Sequence, residues 1–460
     1  MGRQHATRLE VSAQRFHVRR MTHALVRRDI AMHDDPLRAQ SMSLLTGCLL
    51  TVIAVTLCGV LALIAPRGVP DAAPIVMSRE SGALYVRIGD TLHPVPNLAS
   101  ARLVARAATN PAVVSDAAIA EAKRGPVVGI PGAPSVIGGS VGVQPWTVCD
   151  DQRTVIVVGD AALGGFDSSE AVLVNPRGEG AALTYLLYEG RRARVDLRNL
   201  AVVRALRLEG ITPLAVSRTL LDAVPEAPPI VAPRIAGAGG DGPTALRGNP
   251  IGSVVGVVRA DATQHYVVLA DGVQPVGEVA ADLIRFTYAT AGEAIPTVSP
   301  AAIAAAPAAT TLPVGTFPRR AGLPVGAEHR VAICAVWHSN PTNTIVMTGD
   351  STPTTRSDGV TLAQADGEGP NVDAVTVAAG RSAYVRSAPI ANDDGASGPR
   401  FLVTDSGVAY GIRDDDTARL LGVTEQPAAA PWPLLARLPR GPELSIDAAS
   451  VVRDGLATPS

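Results

Sequence analysis

The run Leu44-Leu-Thr-Gly-Cys-Leu-Leu-Thr-Val-Ile-Ala-Val-Thr-Leu-Cys-Gly-Val-Leu-Ala-Leu-Ile-Ala65 carries no charged residue and is the one long apolar stretch of the chain. A helix of that length crosses a hydrocarbon core of about 30 Å with all its backbone groups paired internally. A cleaved signal peptide fits poorly. The segment ahead of the run is long, the run exceeds an ordinary h-region, and Ala65 is followed by Pro66-Arg67 rather than a small-residue cleavage site. The reading is an uncleaved anchor over residues 44–65. Arg3, Arg8, Arg15, Arg19, Arg20, Arg27, Arg28 and Arg38 precede it, whereas Arg67 stands alone just after it. That asymmetry predicts a cytoplasmic N-terminus and places everything after Pro66 outside.

Working outward, the cytoplasmic stretch 1–43 reads as a basic amphipathic segment. A helix is expected from Ser12, as N-cap, to Ile30, with Val18, Met21 and Leu25 on one face. Arg19, Arg20, Arg27 and Arg28 then form a basic face suited to docking on a partner or on the anionic inner leaflet. On the other side, the exported part contains only two cysteines, Cys149 and Cys334, because Cys48 and Cys58 lie within the span. An oxidising compartment favours a bridge between them, closing a loop worth roughly 4–5 kcal/mol in the chain-entropy model. Two buried free thiols are the alternative.

A divergent unit recurs in this exported part: a β-rich run, a Gly-centred turn, a second strand and a helix-like Ala/Leu segment. The copies are Ala83–Val95 with 98–104, Leu183–Val195 with 197–208, Tyr266–Val276 with 279–286, and Phe401–Ile412 with 418–421. Unequal spacing excludes a stacked solenoid. Cys149 lies between the first two copies and Cys334 between the last two, so a bridge would unite the intervening stretches as a central domain. The expected fold is α+β: a single-pass helix, then an elongated β-rich ectodomain of strand-turn-strand-helix repeats around a disulfide-linked centre. The expected limits are 1–43 and 44–65 as above, 66–125 for repeat 1, 126–180 for the first part of the centre and 181–236 for repeat 2. Repeat 3 follows over 237–310, the second part of the centre over 311–380, and repeat 4 with the C-terminal segment over 381–460. Pro, Ala and Gly concentrate in 224–243, 296–313 and 426–433, which read as linkers.

Composition excludes several functions. The net charge of −2 over 460 residues gives no pull toward nucleic acid. Lys123 is the sole lysine, and Arg124-Gly125-Pro126 follows it, so no phosphate-binding P-loop exists. Gly237, Gly239 and Gly242 match a dinucleotide-binding string, but Pro243 follows where a helix would have to begin. Gly138-Gly-Ser140-Val-Gly142 matches a nucleophile elbow yet runs into an extended exit rather than a helix. The histidines show no metal-ligand spacing, and Asp414-Asp-Asp416 reads as a solvated turn rather than a calcium loop. No catalytic residue, metal ligand or cofactor is expected.

Longer motifs carry a family resemblance. They include Thr7-Arg8-Leu9-Glu10-Val11-Ser12, Arg19-Arg20-Met21-Thr22-His23-Ala24-Leu25-Val26-Arg27-Arg28-Asp29 and Asp35-Pro36-Leu37-Arg38-Ala39-Gln40-Ser41 before the span. Beyond it come Pro74-Ile-Val-Met77, Leu92-His93-Pro94-Val95, Gly129-Ile-Pro-Gly-Ala-Pro134, Trp146-Thr-Val-Cys149-Asp150, Asp271-Gly-Val-Gln-Pro275-Val276 and Gly441-Pro-Glu-Leu-Ser445. Together they resemble the EccB family of type VII (ESX) secretion systems, departing from it at Asp34, where the family tends to have the histidine found here at His33. The resemblance implies a structural subunit of the inner-membrane machine that braces the periplasmic side of the channel. It implies self-association and the company of an EccC-like FtsK/SpoIIIE ATPase, an EccD-like multi-span protein, an EccE-like subunit and a mycosin protease. Members are sometimes described as ATP-hydrolysing, which the residues here do not support.

Overall fold

The computed structural model describes residues 7–28, 36–64, 73–168, 171–178, 183–259, 262–288, 294–329, 331–339, 342–351, 359–391 and 397–454. The chain divides into two compact units, Met1–Pro70 and Asp71–Ser460.

The first unit holds two helices. α1 spans Arg8–Arg27 and starts four residues ahead of the expected Ser12. Its cap is Thr7, because Glu10 reaches back to the Thr7 amide at 2.8 Å and closes a capping box. Ser12 instead turns its hydroxyl onto the Leu9 carbonyl at 2.9 Å, inside the helix. The helix ends where Arg28 adopts a left-handed conformation, φ 56°; Ile30, His33 and Asp34 lie outside the described residues. α2 spans Pro36–Ile64, and Gln40–Val60 within it is long and apolar enough to cross a membrane. Thr46, Thr51 and Thr56 each donate to the carbonyl four residues back, at 2.8, 2.8 and 2.6 Å, which satisfies their hydroxyls within the helix.

In the second unit all four expected strand-turn-strand-helix copies form, and each is longer than its sequence signal. The first copy pairs Ile75–Ser78, Leu84–Ile88 and Thr91–Val95 antiparallel, followed by helix Leu98–Ala105. The chain then returns as Ala112–Val114, parallel to the first strand. The second copy runs Ala171–Pro176, Tyr185–Tyr188, Arg191–Arg194, helix Leu200–Ala205 and the parallel return Leu214–Val216. Its first strand therefore lies ahead of residue 181. The third uses Val254–Val258, Thr263–Leu269, Gly272–Val276 and helix Glu278–Tyr288, with the return reduced to one parallel bridge, Gly256 to Thr297. The fourth uses Arg381–Ala388, Arg400–Thr404, Ala409–Ile412, helix Asp415–Leu420 and the return Ala428–Pro431.

The stretches expected to be linkers are thus structural. Residues 224–243 bury Ile230 and Ile235, 296–313 contain helix Pro300–Ala305 with buried Ala309 and Leu312, and 426–433 supply the fourth return strand. The physical reason is that a parallel return needs a connection long enough to cross the sheet, and Pro- and Ala-rich sequence can provide an edge strand as readily as a spacer.

The copies pack in pairs through their helices. Ala99 and Leu103 of the first share a core with Tyr384, Leu402, Ala418 and Leu421 of the fourth. Val202, Ala205 and Leu206 of the second share one with Val279, Leu283 and Ile284 of the third. Between them a six-stranded sheet has the order Thr342–Gly349, Ala332–Ser339, Trp146–Asp150, Thr154–Val158, Ala374–Thr376, Val360–Thr361. One further core joins this sheet, through Trp146, Ile156 and Trp337, to Leu187 and Leu220 of the second copy and Val385 and Leu434 of the fourth.

Candidate functional site

The central sheet brings the two exported cysteines together. Trp146–Asp150 and Ala332–Ser339 are antiparallel neighbours, in a register that sets Cys149 opposite Cys334 and Trp146 opposite Trp337. Cys149 and Cys334 form a disulfide with Cα atoms 4.1 Å apart, and neither is exposed. The register explains the bond: directly opposed residues on antiparallel strands approach to about 4.5 Å when they are not a hydrogen-bonded pair. The bridge joins positions 185 residues apart, so its cross-link acts on a very long loop of the unfolded chain.

Beside the bridge, Asp150 anchors the centre to the second copy. Its side chain is 1% exposed and meets Arg177 Nη2 at 2.5 Å, while the Ser217 amide donates to its other oxygen. Burial pushes the Asp150 carboxyl up, and the Ser217 and Arg177 hydrogen bonds and the Arg177 charge pull it back. Asp373, equally buried, accepts from the amides of Thr154 at 2.7 Å, Gly367 at 2.7 Å and Asp366 at 3.0 Å. These two aspartates clamp the sheet by charge-assisted bonds as the disulfide does covalently. Neither was evident beforehand. Asp150 at least stood next to Cys149, and its partner Ser217 belongs to a signal that recurs. Val114-Ser115, Val216-Ser217 and Val298-Ser299 each place a serine just ahead of a short helix, its side chain accepting from the amide three residues on.

The other expected site lies on the first unit. Arg19, Arg20 and Arg28 are exposed, and Arg27 closes α1. Helical spacing sets Leu9 and Phe16 on the stripe of Arg20 and Arg27, opposite Val18, Met21 and Leu25. All five of these apolar side chains are more than half exposed. α1 is therefore apolar on two sides rather than one.

The strings set aside on sequence have structural roles. Gly139–Ser140 forms a short strand against Arg381–Ser382, and a Cβ at Gly138 would lie 2.2 Å from the Gly380 carbonyl oxygen. Gly237 and Gly239 sit in turns, with the Gly239 amide donating to Ile251 at 2.8 Å. Asp414-Asp-Asp416, read as a solvated turn, is a helix start: Asp414 is an N-cap accepting from the Thr417 amide at 2.7 Å.

Fold and site together define a chain with, among the described residues, one helix long and apolar enough to cross a membrane and a β-rich repeat unit clamped by a disulfide at its centre. A family model described as type VII secretion system ESX-1, transport TM domain B, matches residues 3–458, and the chain belongs to this EccB family. Among relatives, the ESX-3 secretion system ATPase EccB3 of Mycolicibacterium smegmatis is 33% identical over 475 residues, covering 98% of this chain and 92% of that protein. The ESX-5 secretion system ATPase EccB5 of Mycobacterium tuberculosis is 33% identical over 486 residues, covering 98% and 94%. In structure, a chain of an intact ESX-5 inner membrane complex superposes with a TM-score of 0.73 at 30% identity, covering 100% of this chain and 98% of that one. A chain of the EccB3 dimer from the ESX-3 core complex gives 0.71 at 31% identity, covering 82% and 100%.

Proposed function

We propose that this protein is a structural subunit of a type VII (ESX) secretion machine in the inner membrane, bracing the periplasmic side of the channel during protein export. The observation that carries the reading is the likeness over the whole chain, span included, to a chain of an intact ESX-5 inner membrane complex. α2 anchors the subunit, the arginine asymmetry keeps α1 in the cytoplasm, and the Cys149–Cys334 unit stands outside in an oxidising compartment. The related EccB3 structure is a dimer, which supports self-association of the exported units. α1 docks through Arg19, Arg20, Arg27 and Arg28. Its apolar residues on two sides favour a protein groove, since a flat leaflet covers only one side of a helix. The partners proposed are an EccC-like FtsK/SpoIIIE ATPase, an EccD-like multi-span protein, an EccE-like subunit and a mycosin protease.

The test is native-size analysis with mass spectrometry of the tagged full chain, extracted from its own membranes in mild detergent. Recovery in a large particle with EccC- and EccD-like proteins is the expected result. Recovery as a lone monomer or dimer would sink the scaffold reading.

ATP hydrolysis is a second reading, favoured by the names of the relatives. Against it, the sole lysine, Lys123, lies with Arg124 on an exposed two-residue strand, not in a Gly-rich turn leading into a helix. Phosphate release by the purified full chain, above that of a preparation freed of co-purifying ATPase, would establish this second activity.

A further inference from the structure

The end of the third copy's sheet carries a cluster of charge that the scaffold role does not use. Where Val254–Val258 turns into Thr263–Leu269, and where Gly272–Val276 runs into helix Glu278–Tyr288, there is an open cavity of about 790 Å³. Arg259 lines one side and Arg319 and Arg320 another, with Thr263 and His265 from the middle strand between them. The volume falls within the usual range for small-ligand sites, about 300–1,000 Å³.

Three features set this cluster apart from the other arginines. First, among the described residues none of the three guanidiniums has an ion-paired or hydrogen-bonded partner, whereas Arg177, Arg192, Arg400 and Arg437 each meet a carboxylate. Second, among the described residues the one carboxylate lining the cavity is Glu278, which is already engaged, accepting from Arg207 Nη2 at 2.9 Å. Third, Arg259 and Arg319 stand on held backbone. The Glu278 amide donates to the Arg319 carbonyl at 2.8 Å, and the Arg259 amide donates to Ala262 at 3.0 Å. Gly277 lets the two segments approach closely, since a Cβ there would lie 3.0 Å from the Arg319 carbonyl oxygen.

Three exposed guanidiniums lining one open cavity give it a positive potential, which draws an anion. Guanidinium forks bind carboxylate and phosphate alike. A planar carboxylate offers two oxygens, whereas a phosphate offers three or more in a tetrahedral array, which suits donors arriving from two sides of a cavity. Thr263 adds a hydroxyl donor and His265 a ring N–H, and the first turn of the helix adds the positive end of its dipole. We propose that the cavity walled by Arg259, Arg319 and Arg320 is a binding site for a phosphate-bearing anion, either a free phosphate compound or a phospholipid headgroup.

The site is tested on the full chain in detergent by calorimetric titration with inorganic pyrophosphate and, separately, with dihexanoyl phosphatidylglycerol below its micelle concentration. Succinate serves as the carboxylate competitor. The expected result is saturable binding of one or both phosphate probes, weakened about tenfold or more by the double substitution Arg319→Gln/Arg320→Gln, with succinate a poor competitor. Binding of pyrophosphate identifies a soluble phosphate source; binding of the lipid alone identifies a headgroup. Should the double variant melt early, Arg259→Gln on the opposite wall makes the same test. Absence of binding by both probes, binding unchanged in the variants, or displacement by succinate as effective as by pyrophosphate would overturn the proposal.

Discussion

Asp150 is a carboxylate buried against the cost of its charge, and it shows how the centre is held. Its carboxylate is taken out of water and then compensated by Arg177 and the Ser217 amide. Removing one partner of a buried pair leaves an uncompensated charge, at about 3–5 kcal/mol. Arg177→Ala is therefore expected to destabilise the protein by that order near pH 7.5. Without Arg177 the folded-state pKa of Asp150 rises further above its unfolded value, burial being the cause. A group with a raised folded pKa contributes stability that is present below the unfolded pKa and lost as pH rises through the folded one. The deficit of Arg177→Ala against the parent chain should accordingly shrink as the pH falls from 7.5 toward 5, which denaturant melts of both proteins at each pH would measure. A deficit independent of pH would mean that Asp150 is not the group left exposed to the change. The two cysteines were legible in the sequence because compartment and elimination single them out. Asp150 was not, since its role is set by Arg177, 27 residues on, and Ser217, 67 residues on, and no local pattern links the three.

At the scale of the element, the serine that follows valine ahead of three short helices has one function and unequal settings. Ser217 is buried, accepts from the Leu220 amide at 3.2 Å and starts the helix that carries Leu220 and Leu221 into the central core. Ser299, itself exposed, makes the equivalent bond to Ala302 at 3.2 Å on a helix with no fully buried residue, only Ala302 and Ile303 partly covered. Loss of an N-cap costs about 0.5–2 kcal/mol. Ser217→Ala should fall in the upper half of that range and Ser299→Ala in the lower, read as the difference in midpoint between two urea melts. Equal losses would separate capping from core packing and remove the distinction. The strand-turn-strand-helix part of each copy was readable from local alternation and a turn glycine. The return strand was not. Parallel pairing such as Val385 to Ala428 is made between residues far apart in sequence and leaves no period of two. The Pro- and Ala-rich composition of 426–433 pointed toward a spacer. α1 taught the reverse lesson: Thr7 and Glu10 spelled a capping box that outranked Ser12, whose hydroxyl is spent on its own helix.

For the whole molecule, the prediction concerns which side of the membrane each unit occupies. The arginines of α1 precede the span, and cationic segments are retained on the cytoplasmic side. The disulfide favours an oxidising compartment for the second unit independently, because thiol-reducing systems keep such pairs open in the cytoplasm. Two unrelated physical effects thus predict the same orientation, and a single experiment addresses both. With Cys48 and Cys58 of α2 replaced by alanine, one new cysteine is placed at Ser12, on exposed α1, or at Leu323, 82% exposed in the second unit. A membrane-impermeant maleimide should label Leu323→Cys in intact cells and Ser12→Cys only after the inner membrane is opened. The reverse pattern would set the arginine cluster outside, against the charge rule, and the disulfide inside, against the redox poise; the scaffold reading, which needs the repeat unit at the periplasmic face, would fall with it. Labelling of both sites in intact cells would instead mean that α2 does not seal the chain across a bilayer, and that its 29 apolar-rich residues serve as a core or docking helix.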